Sequence, residues 1–84
     1  MFHKVKAIQP LPEFNLLVLF QSGEQKKYDL RPLFEKLDAF KMLVSTAGLF
    51  EQVKVDTGGY GISWNDELDL ACNELYYNGQ QTDL

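Results

Sequence analysis

Eighty-four residues, 45% hydrophobic and 13% aromatic, predict a folded single domain over 1–84, because a chain of this size buries only ~60% of the surface its unfolded form exposes and has no core to divide. The longest purely apolar run, LLVLF at 16–20, falls far short of the ~20 residues of a membrane helix; no apolar segment follows the basic start MFHKVKAIQP, and the lone Cys72 excludes an internal disulfide, so a cytoplasmic chain without a membrane or cofactor is expected. The net charge of −4 is unevenly laid: through Lys54 eight bases meet six carboxylates, giving +2, and beyond it six carboxylates meet no base, giving −6, a field that disfavours nucleic acid and favours a basic partner surface.

HKVKAI at 3–8 mixes apolar and basic residues as a half-buried strand does, and ends before Pro10 and Pro12, which do not both fit a ladder. FNLLVLF at 14–20 reads as a central strand and QKKYDL at 25–30 as its hairpin partner. Side-chain direction decides the register. A two-residue turn at Ser22-Gly23 mixes apolar and charged residues on both faces, whereas a three-residue loop Gln21-Ser22-Gly23, with Gly23 left-handed, points Phe14, Leu16, Val18, Phe20, Tyr28 and Leu30 one way. Leu17 and Leu19 then stand on the opposite face beside Gln25, Lys27 and Asp29, an amphipathic surface open to a further strand or a second subunit.

Pro32 suits a first helical turn, and Leu33, Phe34 and Leu37 follow at helical spacing. AFKML and STAGLFEQ continue the pattern as two short helices or turns interrupted by Gly48, with Phe40, Leu43, Leu49 and Phe50 packing on the sheet. QVKVD at 52–56 and YGISW at 60–64 alternate as strands, Val53 and Val55 inward on the first and Tyr60, Ile62 and Trp64 sharing one side of the second. The glycines between them, Thr57-Gly58-Gly59, are therefore a hairpin tip: a phosphate loop needs a helix after the glycines, and here a strand follows. A turn at Asn65-Asp66, a brief edge strand at 67–70 and a helical turn at Leu75-Tyr76 ended by Gly79 complete the reading, with 79–84 a frayed tail. The fold class is α+β: an antiparallel sheet of about five strands with short helices packed on one face.

Three constellations carry possible chemistry. Asp66, Glu67, Asp69 and Glu74 form the dense carboxylate group, but Leu68 and Leu70 break the alternation a calcium loop needs, and solvated turn residues with Asp69 as a helix cap account for them. His3 has no nucleophile or second base near it in sequence. Lys4, Lys6, Lys26, Lys27 and Arg31 make a basic patch if the first and third strands lie close, giving a DNA- or RNA-contacting alternative.

FQSGEQKKYDLRPLF, LFEQVKVD and ISWNDELDLACNELY together resemble the small bacterial family known as domain of unknown function 2442. The resemblance rests on Phe20 and Gly23 in the hairpin, Asp29, Pro32 and Leu33 after it, Phe50 before Val53 and Val55, and Trp64 followed by Leu68-Asp69-Leu70 and Leu75-Tyr76. Ser22 departs from the Asp or Asn usual before the hairpin glycine. The resemblance implies a small α+β domain, in some members followed by a helix-turn-helix domain for which this chain is too short, and a gene neighbourhood that suggests a toxin and antitoxin pair; it implies no catalytic residues. The expected function is a non-catalytic protein-interaction module, antitoxin-like or regulatory, meeting a protein partner or a second copy through Leu17, Leu19, Lys27, Asp66, Glu67, Asp69 and Glu74. The alternatives are nucleic acid contact by the basic first half and a small metal-dependent enzyme built on Asp66, Asp69 and Glu74.

Overall fold

A computed structural model describes residues 1–82. In chain order it contains β1 (Val5–Leu11), β2 (Asn15–Phe20), β3 (Gln25–Asp29), α1 (Arg31–Lys36), α2 (Met42–Ser45), β4 (Lys54–Val55), β5 (Gly61–Ser63), β6 (Asp69–Ala71), α3 (Cys72–Asn78) and β7 (Gln80–Gln81), with single 3-10 turns between several of them. The strands form two antiparallel sheets, β1-β2-β3-β7 and β4-β5-β6. The α+β class stands, with seven strands in two sheets where the sequence suggested about five in one. The division arises because the helical turns of 31–52 carry the chain across the first sheet before β4 begins, and β4 and β5 then lie against β1 without continuing its ladder.

The hairpin register follows the side-chain argument. Leu16 pairs Tyr28, Val18 pairs Lys26 and Leu19 pairs Gln25, and the loop closes through Phe20 N–H to Glu24 C=O and Gly23 N–H to Phe20 C=O, both 2.9 Å. Gly23 has φ +96°, a conformation that costs glycine no Cβ clash. Leu16, Val18, Phe20, Tyr28 and Leu30 are all buried on the inner face. Two expectations change. β1 runs on through Pro10, which pairs Leu16; on this edge strand a residue without an amide leaves no ladder bond unmade on the open side. Lys26, counted above with the surface bases, shares the inner face with Val18 and is 9% exposed. Between β1 and β2 the chain reverses through Glu13 and Phe14, both at positive φ (63° and 58°), and the strain is held by Phe14 packing edge-on against Phe34 and Phe50.

In the second sheet Lys54 pairs Ser63 and Val55 pairs Ile62, so the chain does reverse at Thr57-Gly58-Gly59. Asp56 N–H donates to Gly61 C=O and Gly59 N–H to Asp56 C=O, each 2.9 Å. Ile62 and Trp64 are buried as expected, while Tyr60 is half exposed. Its ring instead meets Phe2 edge-on at 5.2 Å and lies 4.8 Å from the Lys4 ammonium.

One core joins the layers: Val5, Leu16, Val18 and Phe20 from the first sheet meet Ile62, Leu70 and Leu75 from the second sheet and α3, and Phe40, Leu43, Leu49 and Phe50 close it from the helical connection. The Leu75-Tyr76 turn is the full helix α3, ended where Gly79 N–H donates to Leu75 C=O. Asp69 does not cap it: its place is in β6 opposite Ser63, and the N-cap position is Ala71. Residues 80 and 81, expected to fray, pair with Lys27 and Lys26 as β7; the rest of that expected tail, 83 and 84, lies outside the described residues. Among the described residues no helix is long and apolar enough to cross a membrane.

Candidate interaction surface

Among the described residues the helices pack into the core between the two sheets, and no helix or further strand covers the outer face of β1-β2-β3-β7. Cross-strand pairs share a face, so the register lays this surface out directly. Gln9, Leu17, Lys27 and Gln80 form one row, and Ala7, Leu19 and Gln25 form the next. Leu17 and Leu19 are half-buried by their neighbours alone and take no part in the core cluster. Between them and β1 runs a shallow groove of about 200 Å³. Lys27 is exposed and makes no ion pair among the described residues. At the end of the face Arg31 grips Asp29 through Nε and Nη2 (3.0 and 2.9 Å) and reaches Glu13 at 3.6 Å. The Arg31 guanidinium holds the Asp29 carboxyl below its ordinary range, though a pair this exposed adds little stability.

The acidic candidates lie elsewhere. Asp66 and Glu67 are exposed at a turn that Asn65 organises, its Oδ1 accepting from the Glu67 and Leu68 amides at 2.9 Å. Asp69 is exposed on β6. Glu74, on α3, accepts the Tyr28 hydroxyl proton at 2.8 Å and borders a cleft of about 470 Å³ between α1 and α3, opposite Leu33 and Lys36. Leu17, Leu19 and Lys27 thus share one surface, and Asp66, Glu67, Asp69 and Glu74 do not join it. Among the described residues no three His, Cys, Asp or Glu side chains converge as a metal-holding group.

The bases separate only in part, with β2 between β1 and β3. Lys27 and, in the bulge of β1, Lys6 are exposed on the outer side, Lys4 sits over the Tyr60 ring, Arg31 is paired with Asp29, and Lys26 points inward. The surroundings of Lys26 form a cluster that sequence reasoning missed. Its ammonium donates to the Tyr76 carbonyl and sits 3.7 Å from the Tyr76 ring centroid. His3 stacks on the same ring at 3.5 Å with an interplanar angle of 3°, and two groups that close must occupy opposite faces. The Tyr76 hydroxyl donates to both Glu24 oxygens (3.1 and 3.0 Å), which lowers the Glu24 carboxyl and raises the Tyr76 phenol. The cluster fastens the start of the chain and β3 to α3. Its only sequence signal was a lysine alternating with buried residues in the chosen register.

Tyr28 gives a pH prediction. Burial first, and the bond to the Glu74 carboxylate second, raise its phenol well above the ordinary value of about 10. A folded-state pKa above the unfolded one lends stability that is complete below pH ~10 and is lost as pH rises beyond it. Urea unfolding between about pH 8 and 11 should therefore show a steeper alkaline decline for the wild type than for Tyr28→Phe. Parallel curves would refute the assignment.

No curated protein and no solved structure matches this chain. The family comparison does: residues 5–81, from the first residue of β1 to the last of β7, match one profile. Trp64, Leu68, Leu70, Leu75 and the hairpin residues that carried the resemblance are parts of the core and the turns that build it. The chain belongs to the family described as "Protein of unknown function (DUF2442)".

Proposed function

We propose that this protein is a non-catalytic interaction module that engages another protein surface through the outer face of its four-stranded sheet. One observation carries the reading: Leu17 and Leu19 stand at the centre of a sheet face on which, among the described residues, no helix or further strand packs, although the core receives side chains from both sheets, the helical connection and α3. An antiparallel sheet tolerates one solvated face when that face is polar, and two leucines at the middle of it favour contact over solvation. Lys27 and the glutamines around them supply a polar rim of the sort that surrounds an apolar contact. The family resemblance adds a regulatory, antitoxin-like setting for such a module.

Capture experiments with the tagged full chain in extract of its native cells test this reading. A Leu17→Glu/Leu19→Glu variant that keeps the wild-type circular dichroism should retain at least about tenfold less bound protein, since two buried charges in an interface centre oppose association strongly. Undiminished capture would place the contact elsewhere, and an unfolded variant would assign the leucines to the monomer's own stability.

A further inference from the structure

We infer that the outer sheet face takes a short acidic segment of a partner protein, one whose carboxylates flank apolar side chains; the inference rests on the interaction reading above and names the partner's chemistry. Charge selects the sign. Lys27 pairs Leu17 across the ladder, and Lys6 occupies the β1 bulge beside Ala7, which pairs Leu19, so the two lysines stand on opposite sides of the two leucines. Both are exposed, and neither makes an ion pair among the described residues. The rows that hold the leucines contain no carboxylate among the described residues. At the end of the face Arg31 is engaged by Asp29 and Glu13, so three bases against two carboxylates leave this face at +1 on a chain of −4. An acidic partner is thus repelled by the rest of the molecule and attracted here, whereas a basic one is drawn to the acidic last third instead.

The same rows decide between protein and nucleic acid. The groove of about 200 Å³ runs among Ala7, Leu17 and Leu19, with the Gln9 and Gln25 amides at its rim. It rewards apolar side chains, which lose water there, and these rows hold no aromatic ring for a nucleobase to stack on. Gln9, Gln25 and Gln80 each carry a side-chain donor and acceptor able to meet a peptide backbone. A protein segment uses all three kinds of group.

Size narrows the partner further. Four strands about 4.8 Å apart and at most ~20 Å long give a footprint of roughly 400 Å², below the ~800 Å² per partner that folded proteins bury in a standard interface. A single extended or helical stretch fits that area.

Random peptides of about ten residues, enough to cross ~20 Å at ~3.3 Å per residue, displayed on phage and selected on the immobilised full chain, test the inference. Enriched peptides should carry Asp or Glu on both sides of aliphatic residues, and as synthetic peptides they should bind less tightly as salt rises. Lys6→Glu/Lys27→Glu, at exposed positions that leave the leucines in place, takes the face from +1 to −3 and should bind them at least about tenfold more weakly; Leu17→Glu/Leu19→Glu should not bind them. Where the leucine variant does not fold, the lysine variant carries the test alone. Absence of enrichment, enriched peptides with no acidic excess, or full binding to either folded variant overturns the acidic-segment inference, and extract capture with the leucine variant then decides the interaction reading separately. A single-stranded or duplex oligonucleotide that binds the wild type and not the lysine variant makes the occupant nucleic acid and overturns the inference as well.

Discussion

Gly59→Ala is expected to lose about 2–5 kcal/mol of folding stability, against about 1–2 kcal/mol for Gly23→Ala. Both glycines have positive φ, +82° and +96°, and the left-handed conformation costs an L-residue roughly 1–2 kcal/mol at either site. They differ in what a methyl group would meet. At Gly23 nothing lies within 4 Å; at Gly59 the new carbon would stand 2.5 Å from the Val5 carbonyl oxygen, 2.9 Å from Gln21 Nε2 and 3.2 Å from Lys4 Cβ. The closest of these is backbone at the start of β1, so relief requires moving the strand, and overpacking of this sort adds ~1–3 kcal/mol. Gly59 is the point where the tip of the second sheet is pressed against β1. Urea unfolding of both variants separates conformational strain from collision, and for a domain this size the larger loss lowers the Tm by roughly 10–40 °C. Equal losses at the two sites would refute the close approach.

Trp64→Ala should be at least as damaging, at about 3–5 kcal/mol, a large part of the ~5–15 kcal/mol that stabilises a typical domain. The indole is 4% exposed and meets Phe40 edge-on at 5.9 Å, while its Nε1–H donates to the Phe50 carbonyl at 3.1 Å. One side chain thus attaches two turns of the helical connection to the end of β5. Removing it opens a cavity beside Phe40 and leaves a buried carbonyl without its donor, which alone costs ~1–3 kcal/mol. Trp64→Phe keeps most of the ring and loses the donor, so it should fall between wild type and alanine. Trp64 is the chain's only tryptophan, and unfolding of both variants is best followed by far-ultraviolet circular dichroism. A loss below about 1 kcal/mol in Trp64→Ala would show that the connection is held otherwise.

What the sequence revealed, and what it hid, divides along physical lines. The first hairpin was legible because one register puts all its large apolar residues on one face and leaves a glycine where φ must be positive. Gly58 and Gly59 were legible as a reversal because a strand, and no helix, follows them. Pro10 misled because its tolerance depends on β1 having an open edge, a property of the assembled sheet. Lys26 misled because its burial depends on Tyr76, fifty residues away, offering a carbonyl and a ring face. Gln80 and Gln81 carry no hydrophobic alternation, since they complete a ladder by backbone pairing, with the Gln81 side chain donating to Glu24 at 3.4 Å. Of the candidate site, Leu17, Leu19 and Lys27 followed from register. Asp66, Glu67, Asp69 and Glu74 were grouped by closeness in sequence, and the turn at Asn65 and the start of α3 take them to different surfaces.

The pairing of Gln80 and Gln81 with β3 also bears on how the molecule comes into being. A nascent chain emerging from the ribosome can form the β1-β2-β3 meander early, but β7, which completes that sheet, is translated only after the helical connection, the second sheet and α3. Until then the backbone groups of Lys26 and Lys27 face solvent, and the Tyr76 carbonyl that receives the Lys26 ammonium is still missing. Completion of the sheet therefore waits until residues 80 and 81 have been made, and the unfinished intermediate carries an unpaired edge open to the wrong partner.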